Sequence, residues 1–214
     1  MPRLLKATLA LIAIGLMAGT VVLGRAYRDA GRTGGPLIQI PTTVADLSAR
    51  PLALPQPGLG DPCPATPFSD IDVHYGGASH LSNVLGGGPV YGTGSPTSFT
   101  AWGRYYRVLY FTSPTVSGPV LVRGRDLRTG RQVIFVGDFA EGAVVGSDVL
   151  AGSRVQQHDE LVLNAGRGGV KVDPAGWWTW HATQGVPGEA SGCYGFQLDG
   201  EDFSEIVVAQ ESSL

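Results

Sequence analysis

Four histidines, His74, His80, His158 and His181, are the first residues to weigh for chemistry. His74 and His80 stand six positions apart in "SDIDVHYGGASH" (69–80), close to Asp70 and Asp72. Imidazole and carboxylate together can hold a hydrolytic metal or pass a proton, but such a centre needs three groups converging on an open position. Their spacing matches no such arrangement. His74, His80 and Asp72 are therefore weak catalytic candidates, and polar residues of a surface loop are the plainer reading. The sequence has no G-x-S-x-G elbow, no H-E-x-x-H and no complete P-loop. "GRGGVK" (166–171) lacks both the P-loop spacing and its following Ser or Thr. "DGEDFSE" (199–205) offers Asp199, Glu201 and Asp202, but without the ligand spacing of a calcium loop. No metal site and no cofactor is expected.

Binding has better candidates. "GWWTWHA" (176–182) holds three of the four tryptophans. In a strand, alternation puts Trp178, Trp180 and Ala182 on one face and Trp177, Thr179, His181 and Thr183 on the other. The first face is apolar and is expected in the core. Trp177, at the strand start, is the ring free to stack on a ligand. Arg123 and Arg125 share a strand face, with Arg128 and Arg131 just beyond. Such a group can hold an anionic polymer or headgroup through charge-assisted bonds, or can serve only to protect a sheet edge from aggregation.

The elements that must position these groups are short strands. "YYRVLYF" (105–111), "GPVLVRGRDL" (118–127), "RQVIFVG" (131–137), "AVVGSDVL" (143–150), "DELVLNA" (159–165), "WWTWHAT" (177–183), "CYGFQLD" (193–199) and "SEIVVAQ" (204–210) are rich in β-branched and aromatic residues. Turn residues separate them, and Asp199-Gly200 predicts a hairpin joining the last two. This pattern predicts an all-β fold, an antiparallel immunoglobulin-like sandwich over 68–210.

Ahead of it, residues 33–67 carry eight prolines. They read as a Pro-rich linker whose last part docks on the domain. A short helix within 42–50 is expected, with Thr43 as its N-cap. Residues 1–32 form an N-terminal anchor or signal segment. Positions 7–24 are uncharged and mostly apolar, and as a helix rise roughly 27 Å, enough to span a hydrocarbon core. An uncleaved transmembrane helix is the expectation, and a cleaved signal peptide the alternative. Flanking charge does not favour export, with Arg3 and Lys6 before the segment and Arg25, Arg28 and Arg32 after it.

The cysteines favour it. Cys63 and Cys193 are the two in the chain, and outside the cytoplasm two thiols usually pair. Alternation in 193–199 sends Tyr194, Phe196 and Leu198 to the core and Cys193 outward, where it could meet Cys63 on an incoming extended segment and staple the linker to the sheet. Two inert buried thiols in a cytosolic protein are the alternative. Beyond residue 32 the chain holds 10 basic against 17 acidic residues. That balance, without basic runs, excludes a nucleic-acid partner.

"GPVLVRGRDL" (118–127), "GCYGFQLDG" (192–200), "FSEIVVA" (203–209) and "CPATPF" (63–68) together resemble a family of uncharacterised exported β-sandwich proteins of actinobacteria and other bacteria. Leu198 and Ala209 depart from its pattern, which has Val and an aromatic there. The resemblance implies an exported sandwich and no particular reaction. The expected function is an extracytoplasmic, membrane-tethered binding or structural module of the cell envelope. Its expected partners are the membrane, through the N-terminal helix, and a cell-wall polymer or envelope protein. The alternative is a secreted hydrolase acting on wall or glycan.

Overall fold

The computed structural model describes residues 42–100, 103–136, 157–165, 168–187 and 192–211, leaving aside the side chains of 94–107 and 211. These fall within one unit, Pro41–Leu214. Residues 1–32, the apolar segment 7–24 and the strand expected at 143–150 lie outside the described residues. Among the described residues no helix is long and apolar enough to cross a membrane.

Among the described residues, helix α1 (Val44–Ser48) precedes the strands β1 (Phe68–Ile71), β2 (Leu81–Leu85), β3 (Val90–Thr100), β4 (Gly103–Thr112), β5 (Val120–Asp126), β6 (Ile134–Val136), β7 (Gln157–His158), β8 (Glu160–Leu163), β9 (Val170–Lys171), β10 (Trp178–Gly185), β11 (Gly192–Asp199) and β12 (Ser204–Glu211). They form two antiparallel sheets. The larger runs β1-β2-β3-β4-β10-β6-β7 with β9 also on β10, and the smaller runs β12-β11-β5-β8. The fold is therefore all-β, a sandwich of two sheets.

Alternation decides which residues meet between the sheets. Val120 and Val122 of β5, Leu161 and Leu163 of β8, and Tyr194, Phe196 and Leu198 of β11 face Tyr110, Phe135, Trp180 and Ala182 of the larger sheet in one core. Trp178 packs against the same core, as expected of its face. Gly124 is required here, because a Cβ on it would stand 2.6 Å from the Phe196 ring.

The larger sheet buries its other face too. Ile71, Val73, Val84 and Phe111 form a second cluster, with Tyr75, Leu81, Tyr91, Leu109, Val172 and Trp177 packed on it.

The smaller sheet is covered by residues 42–67. Thr43 caps α1 in a capping box with Asp46, which satisfies the first free N–H groups of the helix, and Leu47 is fully buried. The proline-rich chain beyond has few donors for a ladder. Side chains of the sheet supply the bonds instead. Gln197 accepts from Ala53 N–H at 2.7 Å and donates to Pro51 O at 3.1 Å. Thr66 N–H donates to Val208 O, and Val208 N–H to Thr66 Oγ1. Cys63 is bonded to Cys193 with Cα atoms 5.7 Å apart, inside the usual range. The bridge staples this segment to the outer side of β11 and does not cross the core. The folded unit thus begins at Pro41 rather than at 68, because the linker is a coat over the sheet.

Asp199, fully buried, anchors this coat. It receives Arg123 Nη2 at 2.7 Å and Gln197 Nε2 at 2.9 Å, with Arg50 Nη1 at 3.9 Å. Replacing Asp199 with Ala would leave the Arg123 guanidinium buried beside no carboxylate, at an expected cost of about 3–5 kcal/mol. Urea unfolding of D199A measures it. A loss below about 1 kcal/mol would mean that Asp199 does not hold the coat.

Candidate functional site

His80 is the best-connected of the polar candidates. It follows the turn after β1, and its Nδ1 lies 2.9 Å from Asp72 Oδ1 while Nε2 lies 3.8 Å from Asp70 Oδ2. The hydrogen bond to Asp72 pushes the His80 pKa up against the opposing desolvation, and the charge of Asp70 adds to the rise. Both ring nitrogens are turned to carboxylates, which favours the charged form of the ring. That geometry pairs the ring with two carboxylates on an exposed turn.

His74 does not join this group. It is exposed, and its main-chain N–H donates to Asp173 Oδ2 at 2.8 Å. That bond and the Ala175 N–H hold the Asp173 pKa down. The structure thus brings Asp72 and His80 together and leaves His74 apart. Among the described residues no group of three His, Cys, Asp or Glu is arranged to hold a metal ion.

The binding candidates also divide. Trp177 is half-buried in the second cluster, its ring 6.0 Å from that of Tyr91 and tilted 44° to it. It packs in the outer cluster beside Ile71, Val73 and Val84 of a β1–β2 region unforeseen in the sequence, so it is less open as a stacking platform than expected. Arg123 corrects a second expectation. Besides Asp199, it donates to Ser48 O and Arg50 O at 3.3 and 2.9 Å. Its guanidinium holds the coat and is not open to an anionic ligand. Arg125, two residues on, is exposed.

Among the described residues an apolar cavity lies between the two sheets, about 50 Å³ in volume and partly open to solvent. Leu85, Gly92 and Val108 line it from the larger sheet, and Leu198, Val207 and Ala209 from the smaller. Tyr110 also lines it and donates to Gln184 Oε1 at 2.7 Å. Burial pushes that phenol well above its ordinary range. At about 24 cal/mol per Å³, a void of this size costs roughly 1 kcal/mol.

Glu205 stands on the inward face of β12, opposite Leu198 and two residues before Val207. Its carboxylate accepts from the main-chain N–H groups of Gly87, Gly88 and Val90. It therefore clasps the β2–β3 turn to the opposite sheet. Burial outweighs these bonds and pushes its pKa up. The cavity and this clasp escape a sequence reading aimed at catalytic motifs. Their signals are a glycine inside a strand at position 92 and an acid in the inward register at position 205.

No family model, no curated protein and no solved structure matches this chain.

Two titrations test these electrostatics. Asp72→Asn removes the largest cause of the His80 shift, so the His80 pKa, followed by NMR, is expected to fall toward its ordinary value near 6.5. An unchanged value would remove Asp72 as the cause. For Glu205, a raised folded pKa means that the folded state holds the proton more tightly than the unfolded state. Wild-type stability then falls as pH rises from the ordinary carboxylate range through the folded pKa. Glu205→Gln abolishes that slope, so its stability relative to wild type should rise across the same window. Urea midpoints at pH 4 and pH 7 measure it, and parallel curves for the two proteins would contradict the assignment.

Proposed function

We propose that this chain is an extracytoplasmic, membrane-tethered binding module of the cell envelope. The observation that carries the reading is the Cys63–Cys193 bridge, which fixes the coat to the sheet. A disulfide built into the fold belongs to an oxidising compartment. The uncharged segment 7–24, with Arg3 and Lys6 before it, supports a transmembrane helix as the tether. The resemblance of 118–127 and 192–209 to exported bacterial sandwich proteins supports the same placement. The acidic balance beyond residue 32 argues against a nucleic-acid partner. An immunoglobulin-like arrangement is part of this proposal. Two facing antiparallel sheets favour it, and the division into eight and four strands departs from the seven or nine of that fold.

Binding is preferred to wall hydrolysis because the concave site is apolar, whereas His80 and Asp72 sit on an exposed turn away from His74. The partner is an envelope component met on the outer side of the membrane.

Fractionation of cells making the full chain tests the placement. The intact protein is expected to stay with membranes through a high-salt wash and to leave them with detergent. Its two cysteines are expected to resist maleimide until a reductant is added. Release without detergent or cleavage, or free thiols in freshly isolated protein, would overturn the tethered, extracytoplasmic reading.

A further inference from the structure

We propose that the cavity between the two sheets is a binding site for one unbranched acyl chain of a membrane lipid. This rests on the tethered placement argued above and names the ligand class of that module. The starting observation is a void kept where the fold does not need one. Gly92 lies on β3 between its register partners Leu85 and Tyr110. A Cβ built on it would meet Val108 at 3.6 Å and Tyr110 at 3.8 Å, ordinary contact distances. A side chain would therefore fit, and a β-branched one would suit the strand better than glycine does. Ala209 on β12 and Gly185 at the end of β10 likewise leave the wall thin. Small residues on three strands of two sheets keep one space open.

The walls select the occupant. Leu85, Val108, Leu198 and Val207 present aliphatic surface. Tyr110 and Gln184 are bonded to each other, so that pair demands no polar group from a ligand. A sugar or a charged group would have to shed its water against this lining, which is costly. Size narrows the choice further. An apolar cavity of about 150 Å³ holds a benzene ring, and this one measures about 50 Å³. It is too small for a ring and takes only the end of a methylene chain, with the remainder leaving through the opening. A domain tethered beside a bilayer meets such chains in acyl lipids before any other apolar solute.

The test uses the full chain reconstituted into phosphatidylglycerol vesicles that carry a diazirine at the acyl-chain terminus. After irradiation, adducts are mapped by mass spectrometry. Labelling is expected on the cavity peptides around Gly92, Val108 and Val207, and on 7–24. Gly92→Val fills the space, and is expected to reduce cavity adducts at least tenfold, leave labelling of 7–24 unchanged and raise the melting temperature. Ala209→Val, filling from the other sheet, repeats the comparison if Gly92→Val does not fold. Label on 7–24 with none in the wild-type cavity overturns this proposal and leaves the tether standing. Label in the cavity with none on 7–24 does the reverse. Label on neither removes both, and cavity adducts that survive both filling variants show that the chain does not sit there.

Discussion

A carboxylate with no exposure to water organises the outer half of this molecule. Asp199 ends β11 on the side away from the main core, where an antiparallel sheet ordinarily meets solvent. Buried alone, its charge would cost several kcal/mol. Arg123 answers it directly, and Arg50 approaches from the chain that crosses above. Arg50 can be there only if residues 42–50 lie on the sheet, and its donors to Glu201 O and Phe203 O tie them to the β11–β12 turn as well. Gln197 then supplies the bonds that an extended, proline-rich strand cannot make for itself. As a result, seven consecutive residues of β11, from Cys193 to Asp199, are buried, whichever face they point to.

The same solution appears on the opposite flank by apolar means. Trp177 and Phe111 point away from the main core, and Ile71, Val73 and Val84 come back over them. Both sheets are thus covered twice, and polar candidates for chemistry are displaced to turns such as Asp72–His80. The space left inside is the seam between the sheets, where Glu205 joins β12 to the β2–β3 turn. This is an unusual place for an acid, and its raised pKa reflects that position.

How much of this is legible in the sequence depends on the range of the interaction. Thr43 and Asp46 are three residues apart, so the capping box and the helix it starts can be read directly. The strands around Val120, Trp180 and Phe196 declare their inward faces by alternation alone. Cys193 reads as outward by the same rule, and the bridge to Cys63 follows. β1 and β2 are not legible, because "SDIDVHYGGASHLSNVLGGG" (69–88) is dominated by Gly and polar residues, and its few apolar side chains acquire a partner face only in three dimensions. Arg123 and Trp177 mislead for the same reason. A long cation on an outer strand face and a tryptophan at a strand start read as exposed until a segment distant in sequence is laid over them. Glu205 breaks an apolar register, and that break becomes meaningful only once the N–H groups of Gly87 and Gly88 arrive opposite it.

The placement of the bridge has a topological consequence. Cys63 and Cys193 close a covalent ring through most of the sandwich, from β1 to the start of β11. A single backbone cut anywhere between residues 64 and 192 opens that ring without dividing the molecule. The piece carrying the N-terminus and the piece carrying β12 remain joined through sulfur, and the coat, with its ion pairs to Asp199, stays on the side of the cut that holds Cys63. Covalent integrity is then a property of one bond and the flanks outside the ring rather than of the whole backbone.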